Sequence, residues 1–132
     1  MDPLKPRGSD VYLWALDLFN HGYYWESHVW WEALWHAHGR RGHMADFLKA
    51  LIKLAAAGVK AKMGEAKGVR LHAERAEVLF QGLLRAKGSA PFAGLDLADL
   101  RAMAQEIGAG AESIAADAPA SGPAFSPPLT LD

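Results

Sequence analysis

The sequence predicts an all-α protein, a compact bundle of about five helices with short loops and an irregular C-terminal tail. Three observations predict it. Apolar residues recur at the three-to-four-residue spacing of a helix in successive segments between positions 10 and 107. No stretch alternates with the period of two that marks a strand. Glycines and short polar runs separate the periodic segments, which makes consecutive helices antiparallel neighbours. At 132 residues the chain has the size of one domain and buries about two thirds of its unfolded surface, so it needs no covalent staple.

The elements follow in order. Residues 1–8 read as a leader in which Pro3 and Pro6 block regular structure, 9–116 as one helical domain and 117–132 as a Pro/Ala-rich tail. Ser9 is a suitable N-cap, Asp10 suits the positive helix end, and Val11, Trp14, Ala15, Leu18 and Phe19 repeat at helical spacing. Gly22 turns the chain into a second helix over 23–38. After a polar connection at 39–42, the third helix is expected over 44–63, with Phe47, Leu48, Leu51, Ile52, Ala55 and Val59 as its apolar face. The run Ala55-Ala56-Ala57-Gly58 lets another backbone approach closely, which places this helix at the bundle's centre. Gly64 precedes a fourth helix over 65–87, with Val69, Ala73, Ala76, Phe80, Leu83 and Leu84 facing inward. Asp96 caps a fifth helix carrying Leu97, Leu100, Ala104 and Ile107, and Gly108 and Gly110 weaken any helix beyond it. No regular element is expected beyond 117, although Phe125, Leu129 and Leu131 could lay an extended tail into a groove.

Composition excludes several classes of function. There is no cysteine, hence no disulfide, zinc–thiolate site or thiol nucleophile, which suits a reducing cytoplasm. No signal peptide or membrane span is legible, and a net charge of −1 gives no global attraction for nucleic acid or an anionic membrane. Beyond Gly88 the only cation is Arg101, against Asp96, Asp99, Glu106, Glu112, Asp117 and Asp132. This acidic segment reads as a solubility feature, with docking onto the basic body as the alternative. The chain has no Gly-x-Ser-x-Gly, phosphate loop or dinucleotide fingerprint.

The chemistry concentrates in GYYWESHVWWEALW at 22–35. At about 100° per residue, Tyr24, His28, Trp31 and Trp35 share a band about 60° wide, and Glu32 falls about 40° beyond His28. His28 and Glu32 therefore meet on one face among large aromatics. Such a pair can ligate a divalent metal with help from other helices, fix a histidine tautomer, or form a buried hydrogen bond. Glu26 points elsewhere and suits the helix N-terminus. Lys49, Lys53 and Lys60 form a stripe opposite the main apolar face of the third helix. Such a stripe is usually solvated. Alternatively, the second helix lies on it and sets Lys53 or Lys60 against Glu26 or Glu32. His72 reads as a core-edge histidine bonded to a backbone carbonyl. His36, His38 and His43, with Arg40 and Arg41, read as an exposed loop.

These residues resemble a bacterial and archaeal family known as domain of unknown function 309. The matching positions are Phe19, Asn20 and Gly22, then Tyr24, Glu26, His28, Glu32 and Trp35. A second block covers Leu51, Ile52, Leu54, Ala55, Ala56, Ala57, Gly64 and Gly68, so the resemblance runs from about Val11 to Leu84. It implies a compact all-helical domain and brings no activity with it. Departures lie at Val29, Lys53, Lys60 and Glu65, where the family pattern has glutamate, glutamine, histidine and asparagine. Two positions that could supply neutral ligands have become cations, a poor setting for a divalent metal.

The expected site is therefore a buried cluster of Tyr24, Glu26, His28, Glu32, Lys53 and Lys60, an ionic network tying the second helix to the third. Its role is structural or binding, without turnover. No cofactor is expected. The alternatives are a metal-dependent hydrolase with His28 and Glu32 as ligands, a metal-free acid–base site using His28, and a homo-oligomeric interaction module that buries Trp25 and Trp30 against a partner or, as a homodimer, against a second copy.

Overall fold

The computed structural model describes residues 10–39 and 41–131. The expected leader, the Ser9 cap, Arg40 and Asp132 lie outside them. Among the described residues six helices form an all-α bundle: α1 Asp10–Asn20, α2 Tyr24–Ala37, α3 His43–Lys62, α4 Ala66–Lys87, α5 Leu97–Ala109 and α6 Ala111–Asp117. The sixth is the element that the sequence pattern does not predict. Gly110 was expected to weaken the chain there; it is instead the shared boundary between α5 and α6, and the alanines Ala111 and Ala115 of the short α6 are buried.

Short glycine turns join α1 to α2 and α3 to α4. At Gly22 (φ +88°) the Tyr23 N–H reaches back to the Leu18 carbonyl at 2.8 Å, the left-handed helix stop that glycine permits without strain. Gly64 repeats the device, with the Glu65 N–H bonded to the Lys60 carbonyl at 2.9 Å. At the start of α5 the Asp96 carboxylate accepts from the Asp99 N–H at 3.0 Å, as an N-cap should.

Helix α3 is the centre of the bundle, as its small residues predict. It packs against α2, α4 and α6, while α1 rests on α2, and α5 on α4. Leu48, Leu51, Leu54, Ala55, Ala57 and Ala61 are fully buried around it. The loop before α5 closes one end of the core: Phe92 sits 5.0 Å from Phe47, centroid to centroid, and the Tyr12 hydroxyl donates to the Ala93 carbonyl at 2.9 Å.

Residues 118–131 have no helix or strand, yet they are part of the packed body. Phe125 and Leu129 are buried and Leu131 is exposed. Phe125 enters an aromatic nest, 5.1 Å from Tyr24 and 6.1 Å from Phe19. What docks the tail is apolar burial and backbone hydrogen bonding. The acidic residues play a smaller part: Glu112, on α6, meets Arg70 at 3.4 Å on the surface.

Candidate functional site

The motif around Gly22 does two different jobs. Its first residues grip the C-terminal segment. The Asn20 side-chain amide donates to the Leu129 carbonyl at 2.7 Å and accepts from the Leu129 N–H at 2.7 Å. The Tyr24 hydroxyl accepts from the N–H groups of Ala124 and Phe125 at 2.8 and 3.2 Å. Burial pushes the Tyr24 phenol up, and these two amides act the other way. Lys62 donates to the Pro119 carbonyl at 2.7 Å and also to that of Gly122. At Gly22 a Cβ would stand 2.9 Å from the Pro123 nitrogen, so the tail crosses where only glycine leaves room. Tyr24, expected in the polar cluster, is thus committed to the tail.

The later residues of the motif face a different region. His28 Nε2 lies 3.8 Å from Glu32, and His36 lies 3.9 Å from the other Glu32 oxygen, each one helical turn away. The His28 side chain is 24% exposed and that of Glu32 46%. The pair is therefore half-buried, a correction to the buried cluster expected from the aromatic band. The band itself holds at Tyr24 and Trp31, but it thins out along the helix, and Trp35 is only partly buried. Glu26 is exposed, as are Trp25 and Trp30. Trp25 stacks on the His28 ring at 5.6 Å and 6°.

Lys49, Lys53 and Lys60 of α3 turn toward α4. Lys60 pairs with Glu65 at 2.9 Å across the α3–α4 turn, rather than with an acid of α2. Its stem lies on Gly68, where a Cβ would stand 2.6 Å from Lys60 Cγ. In an antiparallel pair this contact brings Lys53 alongside Arg75. Burial lowers the Lys53 pKa first, and Arg75 and Lys49 lower it further. Among the described residues no carboxylate stands within ion-pair distance of Lys53, so the expected network between α2 and α3 does not form through it. Lys53→Met is accordingly expected to leave the urea midpoint unchanged or to raise it. Breaking a true buried pair would cost about 3–5 kcal/mol, and a loss of that size in the variant would refute this assignment.

His72, on α4, is where these charges meet. Burial holds its pKa below the usual histidine range, and the positive charges of Lys53, Arg75, Lys60 and His28 lower it further. Its Nδ1 is buried without a hydrogen-bond partner among the described residues, which corrects the expected carbonyl bond. His28 Nδ1 and Trp31 Nε1 share that condition. Each such atom costs about 1–3 kcal/mol if left unsatisfied. The grouping therefore draws on three helices: His28 from α2, Lys53 and Lys60 from α3, and His72 and Arg75 from α4. The last two were not singled out together from sequence, although the short α3–α4 turn and the glycine at position 68 fix the register that joins them.

Among the described residues no group of three or more His, Cys, Asp or Glu is placed to hold a metal ion. No described helix is long and apolar enough to cross a membrane. The family model described as Domain of unknown function (DUF309) matches residues 12–71. The chain resembles that family from α1 into the first turns of α4, a shorter span than the motifs suggested. The tail partners of Asn20 and Tyr24 lie outside the matched residues. No curated protein matches the chain.

Proposed function

We propose that this protein is a helical binding domain, without turnover, whose site between α2, α3 and α4 takes a small oxyanion. The observation that carries the reading is the pair of buried, unpartnered imidazole nitrogens, His28 Nδ1 and His72 Nδ1, on the two helices that flank the lysines of α3. An imidazole N–H donates to an oxyanion, and bonds with a charged partner are about twice as strong as neutral ones. The cations that depress the His72 pKa also have less carboxylate around them than charge balance calls for, since Lys60 holds Glu65 but Lys53 pairs with no acid among the described residues. An anion at this place offsets that repulsion. Glu32, set between His28 and His36, stands on the Nε2 side of the His28 ring at 3.8 Å.

The test is thermal unfolding and calorimetric titration with inorganic phosphate, at low ionic strength because salt screens such attraction. Phosphate is expected to raise the unfolding midpoint, and a hundredfold excess over Kd adds about 2.7 kcal/mol. Binding of sulfate, an oxyanion whose charge is constant near neutral pH, should tighten as pH falls. The free protein disfavours the protonated His72, and a bound anion restores that proton, so protons are taken up on binding. His72→Ala and Lys53→Met should each weaken binding about tenfold or more. An unfolding midpoint that ignores phosphate throughout the range from about pH 6 to about pH 8, which brackets the ordinary histidine value, would overturn the reading.

A further inference from the structure

The cationic face of α3 continues into a groove against α4. The groove encloses about 460 Å³, within the range of about 300–1,000 Å³ typical of ligand pockets. Lys49 and Lys53 line it from α3, and Leu71, Glu74, Arg75 and Val78 from α4. Three cations face one carboxylate there. Glu74 and Val78 also line the groove on the α5 side of α4, so both stand on the ridge between the two. The walls are apolar and open to solvent: Leu71 is 43% exposed and Val78 65%. Such side chains at i and i+7 form a stripe along one helix face. From 71 to 79 that stripe runs about 12 Å.

We infer that this groove binds a single-chain anionic amphiphile, a medium-chain carboxylate, with its head at Lys53 and Arg75 and its alkyl chain running from there along Val78 and Leu79. The inference rests on the anion site proposed above and names the ligand class that this site takes. Three features point to a chain as well as a head. Lys53 and Arg75 belong both to the grouping around His72 and to the groove wall. The groove is too apolar to serve phosphate alone. The long stem of Lys49 can cover part of a bound chain while its ammonium stays in water. Beyond Arg75 the groove lining continues for about one helical turn to Leu79, which suits a short or medium chain rather than a long one.

The experiment is a calorimetric series of acetate, hexanoate and octanoate, all monomeric, with phosphate as the head-only reference. Each CH₂ added should tighten Kd by about two- to fourfold, the upper figure being that of a fully buried methylene. Val78→Ser should flatten this dependence and leave phosphate affinity unchanged, and Lys53→Met should weaken the whole series together. Equal affinity for acetate and octanoate would overturn the amphiphile while leaving the anion site in place. No binding of phosphate or any carboxylate would overturn both. Binding to phosphatidylglycerol-containing vesicles with none to monomeric octanoate would also overturn the inference, in favour of a membrane surface.

Discussion

Phe125→Ala is expected to destabilise the protein by about 3–4 kcal/mol, the range for an aromatic removed from a packed core. Phe125 is buried against Phe19 and Tyr24, and its own N–H is bonded to the Tyr24 hydroxyl. The truncation therefore opens a cavity and loosens the amides beside it. For a chain of this size the loss corresponds to roughly 10–15 °C in unfolding midpoint. Urea unfolding measures it directly. Hydrogen exchange then shows how the loss is distributed, because the amides of Ala124, Phe125 and Leu129 should lose protection before those of α3. A loss below about 1 kcal/mol, the level of an ordinary substitution, would mean that the tail does not belong to the core.

Gly58→Ala is expected to be destabilising by about 2–3 kcal/mol, although alanine is the better helix former by about 1 kcal/mol. A Cβ at this position would stand 2.5 Å from Tyr24 Cδ1 and Cδ2, far closer than van der Waals contact. The ring has no room to retreat. Phe19 meets it edge-on at 5.1 Å, Phe125 stands on another side at 5.1 Å, and two tail amides hold its hydroxyl. A double mutant separates the clash from a general helix effect. With Tyr24→Leu already in place, Gly58→Ala should cost little or even stabilise, a non-additivity expected of residues in contact. Equal losses in both backgrounds would refute the contact as the cause.

Much of the fold was legible because helical period and glycine stops depend on local sequence. The starts of α1 and α5 and the centrality of α3 followed from Asp10, Asp96 and the small-residue run at 55–58. The helix α6 was not, because two glycines and a short alanine-rich run give no periodic face; its burial comes from α3, α4 and α5. The candidate site was legible only in part. Spacing within one helix places His28 beside Glu32, and that pairing stands at 3.8 Å. Spacing says nothing about which neighbour covers the lysine stripe, and α4 takes it rather than α2. The same limit hid the role of Asn20, whose partner lies 109 residues away.

The grip of Asn20 on Leu129 uses only main-chain atoms of the tail, one N–H and one C=O. Tyr24 likewise meets two main-chain amides, and Lys62 two main-chain carbonyls. Recognition of this kind is blind to most side chains. Ser121, Pro123, Ser126, Pro127 and Pro128 are exposed, so related chains are free to drift there in sequence while keeping the same path. The two anchors, Phe125 and Leu129, the spacing of four between them, and Gly122 at φ +88° are what has to persist. A library randomised over 119–131 and sorted for folded protein should return an apolar residue at these two positions, glycine at 122, where φ is +88°, and little preference elsewhere.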